Sequence, residues 1–105
     1  MQLNEYQELS ARTANSNLDH NQTLTNFALG LAGEAGEVVE LIKKHVFHGK
    51  QVDAREILAE LGDTLWYVAQ LATAISYSLG EVAEYNLEKL AKRYPDGFKR
   101  QDAKP

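Results

Sequence analysis

Two acidic pairs carry the chemistry this sequence can perform, Glu34-x-x-Glu37 and Glu60-x-x-Asp63. An acidic pair three residues apart lies on one side of a helix, and alone it is the ordinary pattern of a solvated face. The second pair sits in an unusual setting. After Glu56 the chain reads ILAELGDTLWYVAQLATAISYSLG, and Glu60 and Asp63 are its only formal charges before Glu81. Apolar residues encircle such a helix instead of forming one stripe, which is the pattern of burial on most sides. Buried anions without partners are costly, so these acids must be hydrogen-bonded, paired with a base, protonated or bound to a cation.

A short connection between the two helices makes them antiparallel neighbours, and four carboxylates can then converge. Carboxylate oxygens without histidine or thiolate partners suit hard cations, Mg2+ or Mn2+, over zinc. Magnesium in turn implies a phosphate-bearing substrate. The competing reading is structural: Lys43, Lys44, Lys89 and Arg93 could neutralise the acids inside a bundle. A di-iron carboxylate site fits poorly, because it needs Glu-x-x-His on two helices and none of His20, His45 or His48 has a glutamate three residues before it. His45 and His48 read as helix-end or surface histidines before they read as a second metal site. No P-loop, GxGxxG, HExxH or nucleophile elbow occurs.

The elements that position these acids are helices. No alternating β-branched run is present, and the only prolines are Pro95 and Pro105. Asn4 is a candidate cap for a first helix over about 4–13, with Leu3, Tyr6 and Leu9 as apolar contacts. Residues 15–23, NSNLDHNQT, read as a loop. Leu24, Phe27, Leu31, Ala35, Val38 and Ile42 recur at helical spacing and predict a second helix over about 23–48, stopped by Gly49. Glu34 falls within its apolar arc and Glu37 at the margin. Gly30, Gly33 and Gly36 lie on another side, where close helix approach would offset the cost of glycine in a helix interior.

Asp53 and Glu56 have capping-box spacing at the start of a third helix, whose core stripe is Ile57, Leu61, Thr64, Val68, Leu71 and Ile75. Glu60, Asp63 and Tyr67 run together beside that stripe. Trp66, Ala59, Gly62, Thr73 and Tyr77 form a far side where charge would be normal, which suggests a subunit interface. Ser78 and Glu81 predict a capped fourth helix over about 78–94, with Leu79, Ala83, Leu87 and Leu90 inward and Asn86, Lys89 and Arg93 along one edge. The last residues, about 99–105, read as a tail.

Composition narrows the classes of function. A chain of 105 residues with 44% hydrophobic content suits a single domain with its own core. The net charge of -4 supplies no basic surface for polymeric DNA or RNA, nor for an anionic membrane. No window approaches a membrane span. The absence of cysteine excludes disulfides, thiolate metal sites and cysteine nucleophiles, with the cytoplasm as the default compartment.

Three segments, LAGEAGEVVELIKK, AELGDTLWYVAQLA and NLEKLAKRYPDGF, resemble in order and spacing the all-α MazG-like nucleoside triphosphate pyrophosphohydrolases. The likeness covers nearly the whole chain after the 15–23 loop. It implies Mg2+-dependent cleavage of a nucleoside triphosphate, deoxy or modified included, to monophosphate and pyrophosphate. Glu34, Glu37, Glu60 and Asp63 match the family's metal ligands. Asn86 and Lys89 match positions at the phosphate end of the substrate, and Tyr67 matches a nucleotide contact. The resemblance also implies a homodimer or a dimer of dimers, since compact members complete their catalytic bundle by oligomerisation.

On this reading Lys89 and Arg93 offset charge on departing pyrophosphate, while one acid of the set, Glu37 as the first choice, takes a proton from water. The alternative is a non-catalytic oligomeric helical module, or a nucleotide sensor, whose acids only set register through salt bridges.

Overall fold

The computed structural model describes residues 1–99 and consists of four α-helices: α1 (Leu3–Ser10), α2 (His20–Phe47), α3 (Ala54–Ala74) and α4 (Leu79–Arg93). A single 3-10 turn, Ala11–Thr13, follows α1, and no strand occurs among the described residues. The expected all-α class and four-helix order are observed. The tail expected at about 99–105 falls, apart from Lys99, outside the described residues.

Helix α2 starts earlier than its hydrophobic periodicity indicates, because Asp19 caps it. The Gln22 N–H donates to Asp19 Oδ1 at 2.8 Å, and the Asp19 N–H donates to Gln22 Oε1 at 3.1 Å. This reciprocal pair draws residues 20–22 out of the expected loop and into the helix. At α3 the cap is simpler than expected: Asp53 Oδ1 accepts from Arg55 N–H at 2.9 Å, and Glu56 makes no reciprocal bond. Ser78 and Glu81 do form the expected box at α4. Between these helices the chain turns through Ser76, a non-glycine residue at φ 65°, so the long apolar stretch ends as a helix at Ala74.

The dominant packing is α2 against α3, joined by the short connection at 48–53. Helix α1 clamps the other side of α3 and the start of α4. Gln7 Nε2 donates to Thr73 Oγ1 and to the Tyr77 carbonyl at 2.9 and 3.0 Å, while Gln7 Oε1 accepts from the Leu79 N–H at 2.7 Å. Asn4 Oδ1 accepts from the Gly80 N–H at 2.8 Å. Together with Ser78 Oγ, these side chains satisfy the first three N–H groups of α4, which have no partner within the helix. Asn4 therefore caps α4 and not α1, whose own first turn has no side-chain cap.

The Trp66 Nε1–H is engaged within the chain, donating to the Ser10 carbonyl at 3.1 Å and to Thr13 Oγ1 at 2.9 Å, so α1 and its 3-10 turn cover part of the side expected to meet another subunit, on which Ala59, Gly62, Thr73 and Tyr77 stay exposed. The core stripes of α3 and α4 are also only half used. Leu61 and Ile75 are exposed, as are Leu87 and Leu90, and from residue 84 to 93 all of α4 is uncovered. Among the described residues the buried apolar side chains are Phe27, Ala69, Ala72 and Leu79. Leu58, Leu61 and Leu65 form an open apolar stripe on α3.

Candidate metal centre

Packing of α2 on α3 brings Glu34, Glu60 and Asp63 together, each offering a carboxylate oxygen within 4.8 Å of the others. Glu34 and Glu60 are partly buried, and Asp63 is exposed at the rim. Glu37 stands outside this group of three and is solvent-exposed. Helical geometry accounts for the split: three residues advance about 300°, so Glu37 lies roughly 60° around α2 from Glu34.

Electrostatics identify a cluster short of positive charge. A hydrogen bond with Glu34 first, then burial, then the charges of Glu34 and Asp63, all push the Glu60 carboxyl above the ordinary value of 4.5. Among the described residues, the ion pairs are Arg55 with Asp53 and Lys99 with Asp96, so no lysine or arginine neutralises the three acids. Lys43, Lys44, Lys89 and Arg93 thus do not play the structural role open to them in the sequence. Three oxygen donors that repel one another unless a proton or cation sits between them suit a hard divalent ion.

Aromatic residues build the wall beside the acids. Tyr67 lies one turn beyond Asp63 on the same face of α3 and is partly buried. Its ring meets Trp66 edge-on at a centroid distance of 4.9 Å and Phe27 at 6.3 Å, and Phe27 meets Trp66 at 5.7 Å. Phe27 is buried and Trp66 is held by α1, so the Tyr67 ring rests on a fixed support.

Helix α1 adds a group that sequence reading assigned only to apolar packing. Tyr6 packs against Ala69, Ala72 and Leu79, and burial, followed by the charge of Asp63, pushes its phenol upward. Nothing in the spacing of the first helix places Tyr6 within electrostatic reach of Asp63; only the fold does.

The residues of α4 are placed apart from the acids. Lys89 and Arg93 line, with Tyr85, Glu88 and Lys92, a recess of about 390 Å³ on α4 itself, and Asn86 is exposed. Helix α4 makes its main contact with α1 and a slight one with α3. At the far end of α2, His45 Nδ1 lies 3.0 Å from the Lys50 carbonyl, a contact that ties down the helix terminus. No helix of the described residues is long and apolar enough to cross a membrane.

The chain is similar to known proteins over the region that carries these acids. The model of the MazG nucleotide pyrophosphohydrolase domain matches residues 22–98, which contain both acidic pairs and the basic face of α4. A relative from Mycobacterium phage L5, the Gene 37 protein, is 39% identical over 84 residues, covering 75% of this chain and 73% of the phage protein. No solved structure matches the chain.

Proposed function

Because this chain belongs to the MazG nucleotide pyrophosphohydrolase family, we propose that it cleaves a nucleoside triphosphate, deoxy or modified forms included, to the monophosphate and pyrophosphate with Mg2+. The observation that carries this reading is the Glu34, Glu60 and Asp63 cluster, which has no basic partner among the described residues and holds its internal charge only with a proton or a cation. Mn2+ would substitute, being equally suited to oxygen donors. When bound, the ion supplies charge neutralisation on the polyphosphate and acidifies water.

The side chains then divide the work. Glu34, Glu60 and Asp63 hold the ion, and Glu37 at the exposed margin is either a further ligand or the acceptor of a proton from attacking water. Tyr67, on its aromatic support, contacts the nucleotide. Lys89 and Arg93, with Asn86, bind the phosphate end and offset charge on the departing pyrophosphate.

The reading includes a homo-oligomer, a dimer or a pair of dimers. The exposed stripe Leu58, Leu61 and Leu65 of α3, and Leu87 and Leu90 on α4, are apolar surfaces without cover in one chain. The accessible surface of 8147 Å² far exceeds the roughly 5,900 Å² typical of a compact monomer of this mass. A second copy on these surfaces supplies the missing core and gives α4 the support it lacks. Action on free nucleotides in the cytoplasm completes the proposal.

A panel of canonical and modified triphosphates, assayed for monophosphate and pyrophosphate with Mg2+, tests the function. Equimolar release of the two products from at least one member is expected; release of inorganic phosphate alone, or of nothing, contradicts the assignment.

A further inference from the structure

We propose that Gly30 is a positioning residue for Tyr67, holding open the space in which the Tyr67 ring lies beside the acids. A methyl group built on Gly30 would fall within the Tyr67 ring, on Cε1 and Cζ. The same methyl at Gly33 or Gly36 meets nothing within 4 Å, so close approach singles out one glycine of the three. Gly30 precedes Glu34 by one turn of α2, and Tyr67 follows Asp63 by one turn of α3. In antiparallel helices these form adjoining layers, with Gly30 and Tyr67 directly next to the layer of Glu34 and Asp63.

The surroundings leave the ring few alternatives. Phe27, one turn before Gly30, is buried and touches both Trp66 and Tyr67. Trp66 is fixed by its two hydrogen bonds to the end of α1 and its 3-10 turn. A ring displaced from Gly30 cannot retreat toward Phe27 or Trp66 without disturbing packed neighbours, so it must swing toward the acids or out to solvent.

The consequence for substrate rests on the proposed hydrolase reading: a displaced Tyr67 weakens nucleotide binding while the metal ligands stay in place. The position of the ring itself does not depend on that reading. The test incorporates 3-fluorotyrosine and identifies the Tyr67 resonance among the five tyrosines by its loss in Tyr67→Phe. Gly30→Ala is expected to move that resonance, and Gly33→Ala is expected to leave it in place. In pyrophosphate assays, Gly30→Ala should raise KM roughly fivefold or more with little change in kcat, the pattern of lost binding common to ground and transition states.

The double variant supplies the decisive comparison. With the ring removed in Tyr67→Ala, adding Gly30→Ala should produce no further rise in KM. If Gly30→Ala alone does not fold, the double variant must fold, because the clash is with the ring. An unmoved Tyr67 resonance in Gly30→Ala, multiplied losses in the double variant, or a double variant that misfolds while Tyr67→Ala folds would overturn the proposal. Absence of pyrophosphate release from the wild type would defeat the enzymatic reading, and the fluorine shift would still decide the role of Gly30.

Discussion

Glu34 of α2 and Glu60 of α3 meet across the helix interface, each with a carboxylate oxygen within 4.8 Å of the other and of Asp63, and among the described residues no lysine or arginine forms an ion pair with any of the three. Two carboxylates can share a hydrogen bond only if one is protonated. A divalent ion would replace that proton and remove the repulsion at the same time.

The raised Glu60 carboxyl predicts how stability varies with pH. The folded-state pKa of Glu60 lies above its ordinary value of 4.5, so its contribution favours folding below that value and is lost as pH rises through the raised one. Without divalent ions, Tm should therefore fall across this interval. Added Mg2+ should raise Tm more at about pH 8 than at about pH 5, because the proton must leave before the ion binds. Thermal melts in EDTA and in Mg2+ measure this. A larger Mg2+ increment at the acidic end contradicts it, as does an unchanged increment in Glu60→Gln.

Gln7 predicts a coupling between α1 and the start of α4. Its side chain makes three hydrogen bonds from a nearly buried position, to Thr73, Tyr77 and Leu79. Gln7→Ala strips the Leu79 N–H of its partner and should cost about 1–3 kcal/mol in denaturant unfolding. Amide exchange at Leu79 and Gly80 should accelerate together. A loss below about 0.5 kcal/mol, the scale of a neutral surface change, would show that the clamp does not matter.

The exposed α3 stripe predicts the assembly. Leu61 is central to Leu58, Leu61 and Leu65 and is 51% exposed in the single chain. Leu61→Glu should convert the wild-type oligomer toward the 11.7 kDa monomer in light scattering after gel filtration, and lower Tm. A monomeric wild type, or an unchanged mass in Leu61→Glu, rules out this face as the interface.

Much of the fold could be read from local pattern, and the departures share a cause. Helical periodicity located all four helices, and Ser78 with Glu81 marked the start of α4 because a capping box is written in consecutive residues. The Asp19 and Gln22 box carried the same kind of signal inside a segment whose polar composition reads as loop. Long-range partners left no such mark. Asn4 caps a helix 76 positions away, and Trp66 bonds to residues more than 50 positions distant, so neither role could be inferred from neighbours.

The candidate centre divides in the same way. The convergence of Glu34 with Glu60 and Asp63 follows from two spacings and a short connection, and was legible. That Glu37 stands apart, that Tyr6 comes within the influence of Asp63, and that Gly30 alone among its neighbouring glycines is closely approached all depend on how α2 rotates against α3 and where α1 docks. The uncovered stripes show the converse: Leu61 and Leu87 carry the pattern of core residues, and one chain does not provide the core they match.

If the acids of α2 and α3 hold the ion for triphosphate cleavage, Asp63→Ala removes one of its ligands. Asp63 is at the exposed rim, so its removal should leave the helical content and oligomeric mass unchanged. Mg2+-dependent pyrophosphate release should fall by more than the roughly 10–100-fold that even outer-shell partners of a metal cost. A folded Asp63→Ala protein that releases pyrophosphate at the wild-type rate would contradict the account.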